Sequence, residues 1–143
     1  MSMETNIEYG YGVITSEIKI TDVKKLEALI HLAPKYEKEI KTYFSANDIT
    51  EPTVEDYLEY EEDYHLAAIL SNVIEERQRV GLYTCSDEWG RDYLLYLQMY
   101  PWYMKRFDRR MTPKKISKLF NKYLAYITDR EDCVGYQRCE YCS

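Results

Sequence analysis

Between Glu51 and Asp63 the chain carries seven carboxylates and no basic residue: Glu51, Glu55, Asp56, Glu59, Glu61, Glu62 and Asp63. Tyr57, Tyr60 and Tyr64 are threaded among them. Two chemistries suit such a run. Paired acids such as Glu59 and Glu62 are the equipment of glycosidic acid–base catalysis, but those pairs normally come from separate elements lining a cleft, and 143 residues is short for one. The other chemistry is recognition. Were the run helical, its thirteen positions would span about 20 Å. That gives one charge per roughly 2.8 Å, against one per about 1.7 Å along duplex DNA. Such a surface competes for a basic groove that otherwise holds nucleic acid, with tyrosines as interface anchors. The plainer alternative is a solvated face: acids early in a helix favour the positive end of its dipole, charge runs usually meet water, and Tyr57 and Tyr64 are then core.

From Lys105 to Lys122 the balance inverts, with eight bases and one acid. Lys105, Arg106, Arg109, Arg110, Lys114 and Lys118 follow Trp102 and Tyr103, and bases with aromatics nearby are the composition of RNA and single-strand binding surfaces. The same bases also suit a solvated helix face, or neutralisation of the acidic run within the fold or across a homodimer.

Metal and nucleophile chemistry has less to work with. Cys139-x2-Cys142 is a knuckle suited to tetrahedral zinc, with Cys133 as a third ligand and Cys85 or a histidine as the fourth. One knuckle plus strays is also what an incidental reduced tail looks like, and a redox role is the third option. Glu62-x-x-His65 is half of a di-metal carboxylate signature that needs two such pairs, and His65 equally closes a helix start. The only other histidine is His31. No nucleophile elbow, phosphate-cradling glycine loop or dinucleotide fingerprint is present. The expectation is a chain without catalytic residues or cofactor beyond that zinc.

These residues need elements to hold them. Glu8–Ile14 reads as a strand near a sheet edge, bent at Gly10 and Gly12. Thr21 or Asp22 caps a helix with the stripe Val23, Leu26, Leu29 and Ile30, and Pro34 opens a second with Tyr36, Ile40, Tyr43 and Phe44. Thr53 and Asp56 form a capping box before a short acidic helix from Val54 to about Tyr60. Leu66, Ile69, Leu70, Val73 and Ile74 define the cleanest helix, with Gly81 placed to end it. Leu82–Cys85 and Tyr93–Leu97 flank a polar turn as a hairpin. Thr112-Pro113 then opens a last helix whose stripe is Ile116, Leu119, Phe120, Tyr123, Leu124 and Ile127. The prediction is an α+β fold: one domain over 1–128, a small antiparallel sheet of the N-terminal strand plus the hairpin, and about five helices. A cysteine-containing tail, 129–143, follows.

Composition bounds the rest. Hydrophobic residues are 45% and charged residues 31%, with a net charge of −6 and 16 tyrosines. That is a globular balance. There is no apolar run of membrane-spanning length and no signal-peptide pattern at the N-terminus, so a cytoplasmic protein without membrane contact is expected. The acidic surplus disfavours phosphate binding by the whole surface.

Tyr9-Gly-Tyr-Gly-Val, Ile49-Thr-Glu-Pro-Thr-Val-Glu-Asp-Tyr-Leu-Glu-Tyr, Tyr100-Pro-Trp and Leu119-Phe-x-Lys-Tyr resemble small proteins carried by phages and integrative elements of Firmicutes. The resemblance covers most of 8–128 and brings no active site. Short acidic, aromatic-rich proteins of mobile elements include anti-CRISPR and antirestriction inhibitors. Likeness to that class implies a non-catalytic inhibitor of a bacterial defence nuclease in the host cytosol; many of that class occupy a basic groove, and the resemblance leaves open which host protein is bound and whether a DNA mimic or an allosteric blocker is at work. Glu55, Asp56, Glu59, Glu61, Glu62 and Asp63 would be its contact acids and Tyr57, Tyr60 and Tyr64 its anchors. A nucleic-acid or ribonucleoprotein binder using 105–122, and a small metal-dependent enzyme, are the alternatives.

Overall fold

The computed structural model describes residues 5–97 and 111–142, with the side chains of all but Thr5, Asn6 and Cys142. Among the described residues, four antiparallel strands, β1 (Thr5–Ile14), β2 (Tyr83–Ser86), β3 (Asp92–Leu97) and β4 (Val134–Cys142), form one sheet in the order β2-β3-β1-β4. Five α-helices accompany it there: α1 (Val23–His31), α2 (Pro34–Ala46), α3 (Val54–Tyr60), α4 (Leu66–Gln78) and α5 (Pro113–Leu124), with a 3-10 turn at Thr15–Glu17 after β1. The α+β class is as expected.

The helices start where their caps say they should. The Asp22 carboxylate accepts from the Lys24 N–H, Thr112 accepts from Lys115 N–H behind Pro113, and Thr53 and Asp56 complete both bonds of a capping box. The apolar stripes of α1, α2, α4 and α5 converge on one core with the sheet residues Val13 and Leu94. α4 is its centre: Leu66, Ala67, Ile69, Leu70, Val73 and Ile74 are all buried. At roughly 1.5–3 kcal/mol for each large aliphatic side chain so removed from water, this helix is the main hydrophobic contributor. It ends two residues before Gly81, at Arg79, which takes the left-handed conformation itself (φ 55°).

The cysteine-containing segment is where sequence and structure differ most. Val134–Cys142 is no tail: it pairs with β1 from Thr5↔Cys142 to Val13↔Val134. This places β1 inside the sheet, between β3 and β4, rather than near its edge. The reason is local composition. Val134, Tyr136 and Tyr141 suit a pleated surface, and an inner β1 satisfies its backbone on both sides.

The outer strands also approach one another across the face turned away from the main core. The Glu88 N–H donates to the Glu140 carbonyl at 3.1 Å, Tyr83 and Tyr141 share a hydrogen bond, and the thiols of Cys85 and Cys139 meet. Together with Tyr93 and Leu95, the two cysteines make a second, smaller core. Such curling needs an inner face without side chains where β1 and β3 come closest. A Cβ on Gly10 would sit 2.9 Å from Leu95 Cβ and from the Tyr96 carbonyl oxygen, and one on Gly12 would fall on the Leu94 carbonyl oxygen.

The hairpin turn between β2 and β3 is held by Asp87, buried although charged. One carboxylate oxygen accepts from the N–H groups of Trp89 and Arg91, both at 2.9 Å. The other accepts from Arg91 Nε and the Tyr93 hydroxyl, both at 2.7 Å. Burial opposes the charge, but these bonds outweigh it and hold the carboxyl below its usual range.

Gly12→Ala is expected to destabilise the fold by about 3 kcal/mol or more, because backbone rather than a mobile side chain stands in the way. Gly81→Ala, which meets nothing within 4 Å, should stay within about 0.5 kcal/mol. Urea unfolding of the two variants measures the contrast, and equal midpoints would refute it.

Candidate functional site

The acidic run forms two pieces. α3 is seven residues long, about 10 Å, and from Glu61 the chain turns back on itself. The turn closes through Tyr64 (φ 66°) and His65 (φ 41°), both in the left-handed region that L side chains rarely adopt. His65 holds it: its Nδ1 lies 3.0 Å from the carbonyl oxygens of both Leu58 and Glu61, so this nitrogen carries the proton and donates. The straight rod of charge that an unbroken helix would have offered does not form.

Nor do all seven acids face outward. Asp56 accepts from the Thr53 N–H at 2.8 Å as the capping-box partner. Glu61 accepts from the Tyr36 hydroxyl at 2.6 Å and from Asn72 Nδ2 at 3.1 Å. Glu51, Glu55, Glu59, Glu62 and Asp63 are exposed, and none forms an ion pair among the described residues.

The tyrosines expected as anchors lie inward. Tyr57 is buried, with its ring edge-on to Phe44 at 5.0 Å, and Tyr60 packs edge-on to Tyr43 at 5.1 Å. Tyr36 joins this cluster through Tyr60, and Tyr64 is half-buried against the main core. Burial pushes the Tyr57 hydroxyl up to about 12, with the charges of Glu27 and Glu37 adding to it. Burial likewise raises Tyr36, where the bond to Glu61 reinforces the effect, and Tyr60. Of the nine residues expected to meet a partner, the structure leaves Glu55, Glu59, Glu62 and Asp63 facing solvent. Tyr57, Asp56 and Glu61 are spent on the fold.

Beside the surviving acids opens a cleft of about 330 Å³. Ile18 and Ile20, which follow β1, line it with Leu58 of α3 and Leu66 of α4, an apolar surface whose Ile18 and Leu66 are buried. Glu55 and Glu59, one turn apart on α3, and His65 are among its exposed lining residues, and the half-buried Asp92 lines it too. Asp92 is fixed from three sides. Its N–H donates to Ser16 Oγ at 3.1 Å, its carbonyl accepts from Thr15 Oγ1 at 3.3 Å, and its carboxylate accepts from Ser86 Oγ at 2.5 Å. Sequence reasoning missed Ser16, Ile18, Ile20 and Asp92. They come from segments far apart in the chain, and only the packing of the turn after β1 against α3 and α4 assembles them.

The other candidate groups are not assembled. Lys114 and Lys118 are exposed on α5, and no ion pair joins them to the acidic run among the described residues. Lys105, Arg106, Arg109 and Arg110 lie outside the described residues. Cys85 and Cys139 adjoin, but Cys133 packs toward the helix-side core and the Cys142 side chain lies outside the described residues. Burial raises both Cys85 and Cys139 above the ordinary thiol range, keeping them as protonated thiols at neutral pH. No group of three or more His, Cys, Asp or Glu stands ready for a metal ion among the described residues. Among the described residues, too, no helix is long and apolar enough to cross a membrane.

Comparison with protein-family models, with curated proteins and with solved structures finds no match for this chain.

The raised hydroxyls carry a pH signature. A phenol whose pKa is higher in the folded state than its unfolded value of about 10 stabilises the fold fully below that value and loses this contribution progressively as pH rises from there through its folded value. Tyr36, Tyr57, Tyr83 and Tyr93 all share this direction. The urea midpoint should therefore fall between about pH 9.5 and about pH 11.5, with tyrosinate absorbance rising in step with unfolding. A midpoint flat across that interval would contradict the buried hydroxyl cluster.

Proposed function

We propose that this chain is a non-catalytic binding protein of inhibitor type. Its acidic surface enters a basic groove that a bacterial defence nuclease uses for nucleic acid, in the manner of anti-CRISPR or antirestriction proteins. The observation that carries this reading is the set of exposed carboxylates Glu51, Glu55, Glu59, Glu62 and Asp63, none in an ion pair among the described residues. Apart from Glu55, which favours the positive end of α3, these like charges repel one another with no counter-charge paired to them among the described residues. A basic partner turns that cost into steering and complementarity. The broken helix reshapes the proposal: the surface is a compact acidic corner built from α3 and the turn after it, with fewer contacts than a duplex-like rod.

The test is capture of partners from a bacterial host lysate by the full chain and by Glu55→Lys/Glu59→Lys/Glu62→Lys. The wild type should retain a nucleic-acid-binding protein that duplex DNA or RNA displaces and that elutes as salt is raised from about 0.05 M to about 0.5 M, where the screening length shrinks several-fold. The variant, which replaces exposed side chains and should unfold within about 1 kcal/mol of the wild type, should retain none of it. Equal retention by the variant, with the same salt dependence, would rule the acidic surface out.

A further inference from the structure

The cleft beside α3 has the chemistry of a receptor for one kind of side chain. Its surface of Ile18, Ile20, Leu58 and Leu66 is apolar, and Ile18 and Leu66 are themselves buried. Acidic residues line the cleft beside this surface: Glu55, Glu59 and Asp92, none of them in an ion pair among the described residues. An apolar ligand would leave these acceptors stripped of water and unpaired, and an anion would be repelled. A long aliphatic stem ending in a cation satisfies both halves at once.

We infer that this cleft receives an arginine side chain of the partner. The stem lies on the isoleucine and leucine surface and the guanidinium meets the carboxylates beside it. Arginine fits better than lysine on two counts. Its planar fork of five donors can serve several acceptors fixed on different elements, and it is less strongly hydrated, so entering a half-enclosed site costs it less. The inference rests on the acidic-surface reading above and adds the point that fixes register. Distributed charge steers a partner without specifying its position, whereas a filled pocket does.

The probe is n-butylguanidinium, titrated into the full chain and followed by backbone amide chemical shifts, with n-butanol and guanidinium alone as controls. Saturable shifts are expected at Ser16, Ile18, Ile20, Leu58 and Leu66, in the millimolar range suited to so small a ligand. Each control should bind about tenfold more weakly or worse, and so should the probe to Glu55→Gln/Glu59→Gln, since each lacks a charge-assisted bond or the apolar stem. Glu62→Gln/Asp63→Gln, which changes neighbouring acids outside the cleft, should bind the probe as the wild type does. An equal response to n-butanol, an undiminished response in Glu55→Gln/Glu59→Gln, or shifts centred elsewhere would overturn the inference. No partner is needed for this titration. Its failure therefore leaves the acidic-surface reading to the capture experiment, and a failed capture with intact probe binding counts against that reading alone.

Discussion

The structure hangs on the narrow approach of β1 to β3 at Gly10 and Gly12. Because no side chain stands on β1 there, the two strands close to a distance that a Cβ would forbid. The sheet can then curl until its outer strands touch through Glu88 and Glu140, Tyr83 and Tyr141, and Cys85 and Cys139. Curling buries Tyr93 and Leu95 on the face that the described helices do not cover, giving the sheet a second hydrophobic side. The β1–β3 ladder continues past Ile14↔Tyr93 into the turn after β1, where Ser16 and Thr15 bind the Asp92 backbone, and Asp92 is one of the residues that line the cleft.

The acidic run divides its carboxylates between folding and surface. Asp56 and Glu61 sit where the chain needs acceptors: at the first turn of α3, where helix N–H groups lack partners, and over the Tyr36 hydroxyl, which burial would otherwise leave unsatisfied. The remaining acids have no such task among the described residues. Their positions follow from the shortness of α3. Seven residues make barely two turns, and the reversal at Tyr64 and His65 folds the far end of the run back toward α4. Charge that would be strung along an axis is gathered at a corner.

Most of the helical architecture was legible in the sequence because each helix carries its own instructions. Asp22, Thr53 and Thr112 are side-chain caps that work within three residues, and the stripe of α4 needs only its own periodicity to be seen. β4 was hidden for the opposite reason. Its pairing partner lies some 130 residues away in β1, and Cys139 and Cys142 invite a metal reading that masks the alternation of Tyr136, Arg138 and Glu140 with Cys139 and Tyr141. The placement of β1 at an edge follows from that omission, since a three-stranded sheet has no other neighbour to give it. The run of acids was plain, but its division was not: which carboxylate meets Tyr36 or caps Thr53 depends on where the chain turns. The cleft left no trace, because four separate segments contribute between one and four ordinary residues each to it.

The tyrosine excess settles what kind of contact the acidic corner can make. Interfaces that mimic nucleic acid with aromatic anchors need rings free to leave the surface, and here the rings nearest the acids are committed inward. Tyr57 and Tyr60 are stacked edge-on with Phe44 and Tyr43, and the Tyr36 hydroxyl is tied to Glu61. Pulling Tyr57 or Tyr60 outward would open the aromatic cluster between α2 and α3 and forfeit several edge-on ring contacts, each worth about 0.5–1.5 kcal/mol beyond the area it buries. In the proposed complex, desolvation at this surface would therefore come from side chains of the partner entering the protein rather than from tyrosines leaving it. The cleft lined by Ile18, Ile20, Leu58 and Leu66 beside Glu55 and Glu59 suits basic side chains in that way. α3 joins the two features: its tyrosines pack against α2, and its Glu55, Leu58 and Glu59 line the cleft with the turn after β1 and the start of α4.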